Sequence, residues 1–233
     1  MKKLLISFFV FIFCTMFLTS CWDRRELNEL YIVTALGIDK SEEGYLVTVQ
    51  LINPGEIESE KSETDTPVTT YQSSGETVFE ALRRLTLEAP RRLYGAHLRL
   101  VVFGEELARE DGIGKVIDFI SRDHEIRTEF YMLVSKNSTA EELLNILTPL
   151  ERIPANKIIS TLEISERVWG STRRIQLDEL VSSLINEGKE PVLTGAIIRG
   201  NPDNGGNMKI LKKLDVPTAV ETRYLAAFKK DKL

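Results

Sequence analysis

Side chains able to do chemistry are few in this 233-residue chain. Its two histidines, His97 and His124, have no second ligand at metal spacing, and no H-E-x-x-H run occurs. Both read as hydrogen-bonded structural histidines. Gly112-Ile113-Gly114-Lys115 comes near a phosphate loop. However, Val116 follows the lysine where Ser or Thr is needed, and Arg109 stands where the first glycine belongs. The two glycines therefore read as a break between helices. No G-x-S-x-G elbow is present. Among 35 carboxylates a glycoside-cleaving pair could exist, but no spacing selects one. Arg91-Arg92 and Arg173-Arg174 read as solvated faces or local ion pairs. Arg122 and Arg127, with Asp123 and Glu125 between them, look suited to bracing a turn. The reading is of a non-enzyme with no metal and no cofactor.

Cys21 is the exception. Residues 4–18 form an apolar run behind Lys2 and Lys3, and Thr19-Ser20-Cys21 closes it. That is the three-part layout of an export signal. As a helix the run would span about 22 Å, short of the ~30 Å hydrocarbon core, which favours a cleaved leader over a permanent span. Leu18-Thr19-Ser20-Cys21 resembles a lipobox, where small residues must precede a thiol modified at the membrane surface. The cut is expected between Ser20 and Cys21. Cys21 then carries S-diacylglycerol and an N-linked palmitoyl chain, enough for stable anchoring. Cys14 leaves with the leader, so the mature chain can form no internal disulfide. Losing Lys2 and Lys3 from 30 basic residues, against 35 acidic ones, takes the charge from −5 to −7. That balance argues against nucleic acid and against broad adhesion to anionic lipid.

These residues need a body to carry them. Residues 31–39 and 45–52 read as a hairpin, with Tyr45, Val47, Val49 and Leu51 on one face of the second strand. Residues 56–67 are acidic and Ser/Thr-rich, without a calcium-loop glycine, and read as a solvated loop. A short strand is expected at 68–72. A helix follows at 76–89 with Val78, Phe79, Leu82, Leu85 and Ala89 on one face, Glu80 paired to Arg84, and Pro90 as its stop. A long strand is expected at 93–103, a split helix at 105–110 and 113–121, and a strand at 129–134. Ser138 and Glu141 read as the capping box of a helix at 139–147. Helices at 156–169 and 176–186, a strand at 191–199, a turn cluster and a strand at 208–214 complete the pattern. The fold class is α+β (mixed α/β): a central, mostly antiparallel or mixed sheet with helices packed on it.

Several stretches resemble the Ger(x)C family, the lipoprotein C subunits of nutrient germinant receptors in endospore-forming bacteria. The resemblance starts at Cys21-Trp22-Asp23-Arg24-Arg25-Glu26 and continues through Val33-Thr34-Ala35-Leu36-Gly37-Ile38-Asp39. It resumes at Gly95-Ala96-His97-Leu98-Arg99-Leu100 and at Ser121-Arg122-Asp123-His124-Glu125-Ile126-Arg127. Pro191-Val192-Leu193-Thr194-Gly195-Ala196 also fits. The resemblance implies lipid anchoring on the outer face of the inner spore membrane, and integral membrane A and B subunits as partners. It supplies no catalytic residue, and leaves open whether this subunit contacts a small-molecule germinant. It also implies a domain layout: leader 1–20, anchor and tether 21–30, N-terminal germination-protein domain 31–199, and at 200–233 a connector opening a further, truncated domain. Two other classes compete: a lipid-anchored solute-binding protein of a transporter, and a cell-wall hydrolase.

Overall fold

A strand that is apolar at every position must be covered on both faces. Leu100, Val101, Val102 and Phe103 are all fully buried, and their alternation sends Val101 and Phe103 to one face and Leu100 and Val102 to the other. The computed structural model describes residues 1–16, 29–52, 66–212 and 215–233. It divides into two units, Met1–Leu30 and Tyr31–Leu233. The first contains helix α1 (Lys2–Met16), formed by the apolar run. Among the described residues no helix is long and apolar enough to cross a membrane.

The second unit is built on one mixed sheet. Its strands are β1 (Leu30–Ser41), β2 (Gly44–Ile52), β3 (Val68–Gly75), β4 (Arg92–Tyr94), β5 (Leu100–Phe103), β6 (Tyr131–Ser135), β7 (Val192–Arg199) and β8 (Ala219–Ala227). The order is β3-β2-β1-β5-β6-β7-β8, with β4 also pairing with β1. β1, β5, β6 and β7 run parallel in the middle, while β2, β3 and β8 add antiparallel pairs at the two sides. Of the two expected forms, the sheet is therefore the mixed one.

Helices cover both faces, as parallel strands require. On one face lie α2 (Val78–Arg84), α3 (Glu105–Glu110), α4 (Gly114–Arg122) and α7 (Leu177–Ile185), packed on Ile38, Val49, Val101, Phe103 and Met132. On the other lie α5 (Ala140–Leu144) and α6 (Pro154–Val168), packed on Ala35, Leu100, Val102, Leu133 and Ala196. α4 buries Val116, Ile117 and Ile120, with Ile113 just before it, as its spacing predicts. Val33 and Leu36 face the same core although three residues apart, because a register shift between Val33 and Ala35 inserts a bulge in β1.

Several local expectations are corrected. The strand expected at 93–103 is broken into β4, a 3-10 turn at Gly95–His97 and β5. The turn lets the chain pair with β1 twice, with Leu98 N–H donating to Gly95 O at 3.0 Å. The helix expected at 76–89 stops at Arg84 and tightens into a 3-10 turn at Leu85–Leu87 ahead of Pro90. Its Glu80–Arg84 pair is present at 2.8 Å. The capping box lies one residue later than expected: Thr139 and Glu142 form it, and Ser138 instead bonds Ser135 through their hydroxyls at 2.6 Å. The strand expected at 208–214 is a 3-10 helix, Met208–Lys212, whose i,i+3 spacing brings Met208 and Leu211 against Ile210, Leu147 and Val68. β8 belongs to the Tyr31–Leu233 unit and pairs antiparallel along β7.

Candidate functional site

Ser20 and Cys21, the expected cleavage and lipid positions, lie outside the described residues, as does the acidic stretch 56–65. His97 sits in the Gly95–His97 turn rather than in a strand, exposed and edge-on to Tyr94 at 5.8 Å. His124 is part of the turn after α4. Among the described residues no three His, Cys, Asp or Glu side chains converge as a metal would need. The basic clusters resolve into local contacts. Arg173 pairs with Glu179, Arg174 with Glu166, and Arg91 lies 5.2 Å from the Tyr31 ring centre. The turn after α4 is braced differently from the expectation. Arg122 bonds Asp118 in its own helix at 2.8 Å, while Arg92 reaches Glu125, and Asp123 accepts from Glu125 N–H at 2.8 Å.

The glycine pair at 112 and 114 lies close against a carboxylate of its own chain. A side chain on either glycine would meet the Asp231 carboxylate, with 2.7 Å to Oδ2 in each case. Gly112 also has φ +82, a left-handed conformation that glycine adopts without strain. Ile113 N–H donates to Asp231 O at 2.8 Å, and Leu233 N–H to Ala108 O at 2.9 Å. The closing residues of the chain thus fill the break between α3 and α4. Sequence reading explains the glycines as a helix break and misses the carboxylate, because Asp231 is over a hundred residues away.

A second carboxylate, this one buried, fastens the other face. Asp39, at the end of β1, is 4% exposed. Its Oδ1 accepts from Ala140 N–H at 2.7 Å and Oδ2 from Glu141 N–H at 3.0 Å. Thr139 Oγ1 accepts from Glu142 N–H, and Glu142 returns a bond to Thr139 N–H, both at 3.0 Å. The backbone donors at the start of α5 are therefore met by side chains. Burial raises the Asp39 pKa above 3.8, outweighing the two backbone donors that lower it. Gly104 is needed beside it, since a Cβ there would stand 2.1 Å from Oδ1. Gln50 plays a similar part nearby. Its Nε2 donates to Leu144 O at 2.8 Å, and its Oε1 accepts from Ala155 N–H at 3.3 Å.

The surface is opened between α2 and α4. A cleft of about 90 Å³ is floored by Val33, Leu36, Leu82, Leu98, Phe119 and Ile126. Arg83, Arg92, Asp123 and Glu125 rim it. Phe79, expected in the buried stripe of its helix, is 50% exposed and stands edge-on to Phe119 at 6.2 Å. An open groove of about 610 Å³ shares Phe79, Arg83, Phe119 and Asp123 with the cleft and runs on past Tyr45, Lys115 and His124.

A family model described as the spore germination protein N-terminal domain matches residues 23–197. The chain is 35% identical over 218 residues to spore germination protein KC of Bacillus subtilis (strain 168), covering 91% of this chain and 54% of that protein. It is 31% identical over 238 residues to the putative spore germination protein YfkR of the same organism, covering 100% of this chain and 58% of that one. A solved structure, the crystal structure of the GerBC protein, aligns with 20% identity and TM-score 0.29 over 70% of this chain and 43% of that one. The chain spans about half the length of the curated relatives it matches. By the match across most of its body, the chain belongs to the Ger(x)C family of spore germination proteins.

Proposed function

We propose that this chain acts in spore germination as a lipid-anchored subunit of a nutrient germinant receptor, working by contact with integral membrane A and B subunits. The observation that carries this reading is the family match at 23–197, which opens two residues after Cys21. The relatives named above are spore germination proteins, and none is named for a reaction. The leader, the lipobox-like Leu18-Thr19-Ser20-Cys21 and the family match point the same way. In this reading Cys21 carries the lipid, Ser20 precedes the cut, and the folded body sits on the outer face of the inner spore membrane.

The test is Cys21→Ala in sporulating cells. The variant is expected to lose its acyl chains by mass spectrometry, to leave the spore membrane fraction, and to slow nutrient-triggered germination while dormancy and heat resistance persist. Crosslinking in the spore membrane should recover the A and B subunits with the unaltered chain only. Normal membrane retention together with normal germination in the variant would sink the proposal.

A further inference from the structure

We propose that the cleft beneath Phe79 binds a small carboxylate with a branched aliphatic body. Protein interiors hold few voids larger than a water molecule. A single water needs roughly 10–15 Å³, and this cleft offers about 90 Å³. The space therefore exceeds a packing defect. Its floor of Val33, Leu36, Leu82, Leu98, Phe119 and Ile126 gives water few hydrogen-bond partners and suits hydrocarbon. The volume is also far below the ~300 Å³ at which drug-sized sites begin, so the occupant has few carbons.

The rim supplies the head-group chemistry. Arg92 is engaged by Glu125. Arg83 makes no ion pair with the described residues, and its guanidinium lies 4.9 Å from the Phe79 ring centre at the mouth. An exposed cation over an apolar hole is matched by a carboxylate on an apolar body. Asp123 also borders the cleft and uses Oδ1 to accept from Glu125 N–H. Its other oxygen can take an ammonium group if the ligand carries one. Phe79 acts as a cover: its neighbours on the helix, Val78 and Ala81, are buried, while its own ring stays half exposed over the cleft.

This inference concerns what the body binds, and it stands apart from the receptor reading. The test uses the full chain in detergent micelles, with isovalerate, L-leucine and 3-methylbutan-1-ol as probes, read by calorimetry and saturation-transfer NMR. At least one of the two carboxylates is expected to bind saturably. Arg83→Met should weaken it about tenfold, the loss of a charge-assisted bond, and leave the uncharged alcohol within about twofold. Arg83 is exposed, so the fold should be retained, with near-UV circular dichroism as the check. Leu82→Phe should fill the cleft and abolish binding of all three probes. Preference for L-leucine would support Asp123 as the reader of an ammonium group, and preference for isovalerate would support the carboxylate alone as sufficient. Absence of saturable binding by both carboxylates, or unchanged carboxylate affinity in Arg83→Met, would overturn the proposal.

Discussion

Asp39 holds a helix far from it in sequence, and it does so at the cost of its own burial. Replacing it by alanine leaves the N–H groups of Ala140 and Glu141 without their acceptor. Asp39→Ala is expected to lose about 2 kcal/mol in urea unfolding. The pH dependence has a definite sign. Because the folded pKa is raised above 3.8, the folded state holds the proton more tightly than the unfolded one. The stability that Asp39 adds is therefore greatest below 3.8 and shrinks as pH rises through the folded value. The gap between wild type and Asp39→Ala should narrow as pH rises from below 3.8 through the folded value, and a gap that widens would contradict this. Glu105 has the opposite sign. The Asn137 N–H, opposed by burial and helped by Arg109, draws its pKa below 4.5, so its contribution is present above that value and lost on acidification. Neither role is legible in sequence. Asp39 reads as a strand end, because the helix it caps begins a hundred residues later.

At the scale of elements, periodicity carries most of the information. The face of α4 and the split between α3 and α4 follow from the spacing of Ile113, Val116, Ile117 and Ile120 around two glycines. Breaks inside apolar stretches are the weak point. Residues 93–103 and 208–214 are apolar enough for a strand, and only tertiary contacts, pairing with β1 in the first and packing on Val68 and Leu147 in the second, show that each contains a 3-10 turn. The α3–α4 break yields a test of its own. Gly114→Ala pushes a methyl group against Asp231, whose Oδ2 lies 2.7 Å from where that Cβ would stand. In an Asp231→Ala background the carboxylate is gone and only the 3.3 Å approach to the Cβ of residue 231 remains. The double-mutant cycle should show a coupling of about 1 kcal/mol, and strict additivity would mean that the glycine serves the helix break alone.

For the whole molecule, the sequence shows helices alternating with strands but not the order in which strands meet. That β5 rather than β4 continues the sheet beyond β1, and that β8 returns to flank β7, depends on pairings between distant residues. The closing residues matter to the entire body for the same reason. Phe228 is 3% exposed within the larger core, and Asp231 and Leu233 bond the α3–α4 region. Removing residues 228–233 should cost about 3–5 kcal/mol and lower the melting temperature by roughly 10 °C. A shortened chain that melts with the unaltered one would show these six residues to be dispensable. One of the two outer strands, β8, is irregular rather than flat. Tyr224 has φ 71 at a register shift in the β7–β8 pair, and Lys136 stacks on its ring at 4.3 Å, so the edge is bent and charged.

The four parallel strands at the centre carry one more consequence, for the timing of folding. Ala35 meets Leu100, and Leu133 meets Thr194, so the central ladder closes only after long stretches of chain have been brought round. The β1–β2 hairpin can form early, but the pairs that unite the sheet are non-local and slow. In a chain that we propose crosses a membrane before its lipid is attached, that delay keeps the polypeptide open enough to be threaded, and the compact body assembles on the far side.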